Sequence, residues 1–192
     1  VELLGLSGGE RVLEIGCGWG AVAERLAAEK SCSVTGVTLS TEQLSYARAR
    51  LAGAGLPADL RLQDYRDVDG VFDRIVSVEM IEAVGEEYWP SYFETLWQRL
   101  APGGKAVIQS ILIDEKRFDA YRRTPDFIQT YIFPGGMLPT RAMLKEQARS
   151  AGLVLAHEEL HGDSYAWTLA EWRTRFHAAW PQIEKMKFDT RF

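Results

Sequence analysis

The chain has 192 residues, 46% hydrophobic and 26% charged, with a net charge of −5 and a pI near 5.3. That length suits a single well-buried α/β domain, and the acidic balance argues against a dedicated nucleic-acid binder, which carries a basic footprint. No apolar run approaches the roughly 18 residues of a membrane span, and no signal-peptide pattern opens the chain. Cys17 and Cys32 are the only cysteines and lack metal-ligand spacing, so a reducing cytoplasm is expected rather than a disulfide framework. Val1 in first place and an end at Phe188–Phe192, inside a helical pattern, lead to the expectation of a fragment lacking N- and C-terminal parts.

Arg11 to Ile15 reads as a short buried strand, followed by Gly16, Gly18 and Gly20. Glycine accepts positive φ and leaves room for a ligand against the main chain. Val22 to Lys30 then has apolar residues at helical spacing. Strand, glycine turn and helix form the first half of a βαβ unit, with the helix N-terminus aimed at a ligand. With Ala21 in the last slot the run also fits G-x-G-x-x-A, the dinucleotide fingerprint. That reading wants an acid about 20 residues on to hold a ribose, whereas the second strand, Ser33 to Thr38, ends Val37-Thr38-Leu39-Ser40. Glu14 and the third glycine give E-x-G-x-G-x-G instead, which resembles the first motif of class I S-adenosylmethionine (SAM) methyltransferases.

From Ser40 a helix is expected to about Arg50, with Leu44, Ala47 and Leu51 on one face. Leu60 to Gln63 and Phe72 to Val78 read as the third and fourth strands, and Glu86 to Leu100 as a helix striped by Trp89, Phe93, Leu96 and Leu100. Pro102-Gly103-Gly104 is expected to stop that helix before a fifth strand, Lys105 to Ile113. Asp114 to Pro139 breaks the alternation and is expected to be a substrate-covering insertion. Thr140 to Ser150 returns to a helix, Leu153 to Leu160 and Ser164 to Thr168 read as closing antiparallel strands, and Leu169, Trp172, Phe176 and Trp180 stripe a last helix as core. The alternation predicts an α/β, Rossmann-like domain: a mostly parallel sheet with helices on both faces and a lid-like insertion, one domain over residues 1–192.

Five further stretches carry a resemblance in order along nearly the whole chain. They are Val37-Thr38-Leu39-Ser40-Thr41-Glu42-Gln43, Leu62-Gln63-Asp64-Tyr65-Arg66-Asp67, Phe72-Asp73-Arg74-Ile75-Val76-Ser77-Val78, Met80-Ile81-Glu82-Ala83-Val84-Gly85 and Tyr131-Ile132-Phe133-Pro134-Gly135-Gly136. They resemble the cyclopropane-fatty-acyl-phospholipid synthases and the related mycolic acid cyclopropane synthases. The resemblance implies the class I methyltransferase fold, SAM as cofactor, and methylene or methyl addition across a cis double bond of an unsaturated phospholipid acyl chain. By it, Glu14, Gly16, Cys17, Gly18, Trp19 and Gly20 match the segment around the methionine part of SAM. Thr38, Leu39 and Gln43 match its ribose contacts, and Asp64 with Tyr65 its adenine neighbourhood. Ser40 and Gln43 also stand at capping-box spacing, so Gln43 could simply close a helix start.

Glu82 follows the fourth strand at the sheet's carboxyl edge, where open α/β sheets put ligands. The matching glutamate helps hold a bicarbonate ion in the resembling enzymes; the alternative here is a solvated acid at a helix start. An alkene that attacks the SAM methyl leaves a carbocation, and ring closure then requires removal of a proton from the new methyl, which a held anion could take. The position of a bicarbonate-binding histidine in many members is Gln109 here, a donor that cannot ionise. The main-chain amide of Val78 matches another bicarbonate contact. A methyl branch without ring closure, and a non-catalytic SAM- or lipid-binding module, are the rival readings. No metal site is expected: His157, His161 and His177 lack suitable partners, and the first two fall on strand and turn. Phe118, Tyr121, Phe127, Ile128 and Phe133 are candidates for an acyl tunnel. The lipid substrate implies peripheral contact with the inner face of the membrane, without a visible anchor, and leaves a homodimer open.

Overall fold

A computed structural model of the chain describes residues 1–189. Five strands, β1 (Arg11–Ile15), β2 (Ser33–Thr38), β3 (Asp59–Leu62), β4 (Phe72–Val78) and β5 (Leu100–Gln109), form one sheet in the order β3-β2-β1-β4-β5. Every ladder is parallel. The chain lays β2 and β3 to one side of β1, then crosses back to put β4 and β5 on the other. The order therefore reverses beside β1, and that reversal opens a crevice at the strands' carboxyl ends.

Side chains alternate across the sheet with period two. Val12, Val34 and Val76 join Ala23, Leu26, Leu44, Ala47 and Leu51 in one apolar cluster under α1 (Ala21–Lys30) and α2 (Thr41–Gly53). Leu13, Ile15, Val37 and Ile75 join Trp89, Tyr92, Phe93 and Leu96 of α4 (Trp89–Arg99) on the opposite face, with Phe118 of α5 (Glu115–Arg123). Leu144 and Ala148 of α6 (Arg141–Ser150) pack against that second cluster. Three helix starts have a side-chain cap: Ser40, Asp114 and Thr140 accept the amides of Gln43, Lys116 and Met143 respectively.

Four expectations are corrected. β5 begins at Leu100, because the ladder to β4 jumps from Phe72↔Leu100 to Arg74↔Lys105 and loops Pro102-Gly103-Gly104 out as an irregularity inside the strand. It also ends at Gln109 rather than Ile113. The expected helix from Glu86 opens as a 3-10 turn, Glu86–Tyr88, with α4 proper starting at Trp89, and it is preceded by a short α3 (Ile81–Val84). The closing antiparallel strands do not form. Residues 153–161 have no regular structure, and Ser164 to Thr168 lie inside α7 (Gly162–Lys185).

The chain divides into two units, Val1–Leu155 and the part from Ala156 on. α7 belongs to the second. Its stripe was expected in the core, but Trp172 and Phe176 are exposed, with the Phe176 and Trp180 rings 5.8 Å apart. An i, i+4 spacing specifies a helix face; it does not specify what covers that face. Among the described residues no helix is long and apolar enough to cross a membrane.

Candidate active site

The crevice beside β1 is a groove of about 690 Å³ in the first unit. Ile15, Gly16 and Gly18 form its floor after β1; Val37, Thr38, Leu39, Ser40 and Gln43 come from the end of β2 and the start of α2. Gln63, Asp64, Tyr65 and Arg66 close one end after β3, and Glu79, Met80, Ala83, Val84 and Tyr88 form the wall after β4.

The glycine turn is shaped for close approach. The amides of Gly16 and Cys17 both donate to the Val37 carbonyl, at 3.0 and 2.9 Å, which folds the turn over the end of β2. Gly16 has φ +77°, and a Cβ there would stand 2.4 Å from Met80 Cγ and Sδ. Gly18, at φ +51°, would meet nothing within 4 Å. The main chain at Gly18 is therefore open to a ligand, as a phosphate- or nucleoside-binding turn requires.

Of the residues expected around the cofactor, Gly16, Gly18, Thr38, Leu39, Gln43, Asp64 and Tyr65 line this groove. Glu14, Cys17, Trp19 and Gly20 stand outside it. Cys17 is buried beside Gly36, and burial pushes its thiol up to about 11. Trp19 is exposed and meets Tyr46 edge-on at 5.4 Å. Gly20 is the residue before α1, at φ +79°; a Cβ there would lie 2.9 Å from Ala47 Cβ and 3.1 Å from Leu51 Cδ1. Glycine here lets α1 and α2 approach. Gly20→Ala is expected to cost about 2–4 kcal/mol through left-handed strain and overpacking, measurable as a lowered urea midpoint with an unchanged slope.

Glu14 is 3% exposed, inside β1 on the α1 face. Gly20 gives α1 no side-chain cap, and the Glu14 carboxyl faces the amide of Ala23 in the first turn. Its second oxygen is buried without a partner, and burial pushes its pKa up to about 8. Glu14 thus lies beneath the start of the helix that the glycine turn feeds.

Gln43 settles the choice between cap and groove differently from either simple reading. Ser40 Oγ accepts the Gln43 amide at 3.2 Å, the first arm of a capping box. The second arm comes from Thr38, whose hydroxyl accepts the Ser40 amide at 3.2 Å and donates to Gln43 Oε1 at 2.9 Å. Gln43's side chain is therefore fixed toward β2, on the groove wall. Asp64 accepts the Arg66 amide and pairs with its guanidinium at 2.7 Å, which holds the Asp64 carboxyl below its usual range. The Arg66 guanidinium lies over the Tyr88 ring at 5.5 Å and the Tyr65 ring at 6.0 Å, so this end of the groove is a cation–aromatic stack.

Glu82, Val78 and Gln109 gather at the carboxyl edge of β4 and β5. Val78 and Gln109 are register partners. Glu82 lies in α3, half-buried; its Oε1 accepts the Ile111 amide two residues past β5, and its Oε2 is buried without a partner. Desolvation raises its pKa. The Tyr92 hydroxyl is a second buried oxygen without a partner, its pKa raised by burial first and by the Glu82 charge among lesser causes. Gln109 is exposed and donates its side-chain amide to Glu79 Oε1 at 3.2 Å, while the Glu79 amide donates to the Gln109 carbonyl at 2.9 Å. Glu79 sits at φ +52°, a backbone conformation rare for a side-chain-bearing residue. The sequence reading missed it, and the only available signal was its place directly after an apolar strand.

His157 and His161 are exposed and flank the Glu159 carboxylate at 2.7 and 3.4 Å; among the described residues no group of three or more side chains could hold a metal. Of the tunnel candidates, Phe118 is buried and the Tyr121 hydroxyl accepts the Leu138 amide, but Phe127, Ile128 and Phe133 are exposed.

Comparison with known proteins gives a consistent result. A family model described as mycolic acid cyclopropane synthetase matches residues 1–192. The chain is 44% identical over 195 residues to the tuberculostearic acid methyltransferase UfaA1 of Mycobacterium tuberculosis, covering 100% of this chain and 45% of that protein. It is 41% identical over 184 residues to the cyclopropane-fatty-acyl-phospholipid synthase of Escherichia coli, covering 95% of this chain and 46% of that protein. The chain thus spans about half the length of these relatives. The crystal structure of the mycolic acid cyclopropane synthase CmaA1 complexed with SAH and CTAB superposes with a TM-score of 0.85 at 29% identity, covering 93% of this chain and 67% of that one.

Proposed function

Because the chain belongs to the mycolic acid cyclopropane synthetase family, we propose that it uses SAM to methylate the cis double bond of an unsaturated phospholipid acyl chain, closing the added carbon into a cyclopropane ring. The observation that carries this reading is the pairing of two features on one sheet edge. One is a groove with open main chain at Gly18; the other is Glu82, whose Oε2 is buried and unpartnered.

The groove's residues fit SAM: Gly18 leaves space, Thr38 and Gln43 offer polar atoms, Arg66 and Tyr65 supply flat faces, and Glu79 supplies negative charge for a cationic ligand. When bound, that cofactor supplies an electrophilic methyl. We read a bicarbonate onto the same edge, supported by the unpartnered Glu82 Oε2 and Tyr92 hydroxyl and by the register pair Val78 and Gln109 beside them, and there it would supply the base for the new methyl's proton. Ionised Glu82, already tied through Oε1 to Ile111, presents Oε2 as a pure acceptor and so fixes the anion's own O–H. The apolar side chains of Ile15, Val37, Met80 and Val84 keep water from the groove wall.

A second reading, a methyl branch without ring closure, is favoured by one observation. Gln109 cannot ionise and is held by Glu79; it is consistent with this that UfaA1 is named a tuberculostearic acid methyltransferase. Full-length protein with labelled SAM and unsaturated phospholipid vesicles, followed by acyl-product analysis, decides among the outcomes. Label in cyclopropane supports the first reading, label in a methyl branch the second, and label only on water-soluble products overturns both. Gln109→His is expected to keep or raise turnover, since an imidazole at that position offers a donor and can also titrate; complete loss would count against a shared anion pocket.

A further inference from the structure

Glu79 stands against its own backbone preference. It joins β4 to α3 at φ +52°, in the left-handed region, where a Cβ is crowded and glycine is not. Glycine would serve the turn better, so the glutamate is explained by what its side chain does.

That side chain holds Gln109. Glu79 Oε1 accepts Gln109 Nε2 at 3.2 Å, and the Glu79 amide donates to the Gln109 carbonyl at 2.9 Å. The second bond prolongs the β4–β5 ladder one step beyond the register pair Val78 and Gln109. One residue thus grips both the main chain and the side chain of the other. An ionised carboxylate only accepts, so it fixes which end of the Gln109 amide is turned to it.

Glu79 also belongs to the cofactor groove. It lines the wall after β4 together with Met80, whereas Gln109 lies outside that lining. Of the two acids in the lining, Asp64 is paired with Arg66, which leaves Glu79 as the carboxylate for a cationic ligand. Met80 seats against the glycine turn, because a Cβ on Gly16 would stand 2.4 Å from its Cγ and Sδ. Ile81 then opens α3, which carries Glu82. A single left-handed residue therefore connects the groove floor, the β4–β5 edge and the helix of Glu82.

We infer that Glu79 is a positioning residue: its carboxylate sets the Gln109 side chain at the β4–β5 edge and carries to it the arrival of a cationic cofactor in the groove. The inference rests on the reading that SAM fills this groove. A sulfonium attracts the carboxylate by its full charge, whereas the bond to Gln109 is exposed and made by a neutral donor. SAM binding therefore draws Glu79 toward the groove and resets the Gln109 amide, although that amide lies outside the groove's lining. The N–H that Glu79 lets go is then a donor for an anion beside Glu82. A charged cofactor in this way prepares the edge before the methyl moves. SAH lacks the sulfonium charge and resets the amide less.

The test follows the side-chain amide signal of Gln109 by magnetic resonance, in the full chain labelled with isotopic nitrogen at glutamine and assigned by the signal's loss in Gln109→Ala. Adding SAM should shift it, and adding SAH should shift it less. In Glu79→Gly the free-chain signal should already be displaced and SAM should no longer move it. That variant relieves the left-handed crowding, so it should melt no lower than wild type, which separates positioning from folding. Calorimetry should show it binding SAM about twofold to fivefold more weakly, the scale of one exposed charge pair, with SAH affinity less affected. At saturating SAM its turnover on lipid should fall about tenfold, with no further fall when Glu79→Gly is added to Gln109→Ala. A Gln109 signal that responds to SAM equally with and without Glu79 overturns the inference, as do additive losses in the double variant. Lipid product from Glu79→Gly at the wild-type rate defeats this inference alone. The expected shifts in a chain that yields no lipid product defeat the proposed function alone.

Discussion

Glu82→Gln is expected to lower lipid methylation about 10²–10⁴-fold, the usual range for a lost acid–base group, while SAM affinity by calorimetry stays within about twofold. The amide keeps an acceptor for the Ile111 amide, so the loop after β5 and the melting temperature should be preserved. What changes is the buried position now held by Oε2, where an acceptor becomes a donor. The raised pKa sets the accompanying pH dependence. If the ionised form is the working form, turnover rises with pH through a value above the ordinary 4.5 of a glutamate, and the variant lacks that acid limb. A large drop in SAM affinity would instead move Glu82 to the cofactor groove. Full activity in the variant would remove it from the reaction.

Glu14 carries the largest stability effect. Folding raises its pKa from 4.5 to about 8. Between those values the folded chain holds a proton that the unfolded chain has released, so the slope of stability against pH is negative there. Stability from this group is fully present below about pH 4.5 and is lost as pH climbs toward 8. The loss is on the order of 3–5 kcal/mol across the window. Glu14→Gln keeps the shape and an oxygen facing Ala23 and removes the ionisation, so the gap between variant and wild type should widen in the variant's favour as pH rises from 5 to 8. Glu14→Ala leaves a cavity under α1, for about 2–4 kcal/mol. Urea titrations at several pH values measure both. Parallel profiles for wild type and Glu14→Gln would show that the carboxyl is ionised in the fold.

Much of this architecture was legible before any coordinates. β1, β2 and β4 begin and end where the sequence places them, because each carries a compact β-branched or apolar set (Val12, Leu13 and Ile15; Val34 and Val37; Phe72, Ile75 and Val76) bounded by turn residues. The glycine turn and the Ser40 cap were equally plain. Errors arose where tertiary pairing overrides local rules. Pro102-Gly103-Gly104 is ordinary punctuation by composition, but β4 tolerates it inside a strand by skipping register. Leu153 to Leu160 has strand-like composition but joins no ladder. In the site, residue types were readable and their partners were not. Nothing in the sequence says that Glu14 turns to α1, that Thr38 takes the second arm of the capping box from Gln43, or that Gln109 reaches Glu79. Those assignments depend on which face each strand end presents.

The placement of β1 in the middle of the sheet has a temporal consequence. Its neighbour on one side is reached after a short crossover, but on the other side Val12 pairs with Arg74, so the chain must close a loop of about sixty residues to complete the crevice. Such distant parallel pairing comes late and slowly in folding. Until β4 arrives, β1, α1 and β2 can assemble with half of the binding groove missing. A ligand that bridges Gly18 and the wall after β4 can therefore recognise only the finished sheet, and by mass action it draws the refolding population toward that state.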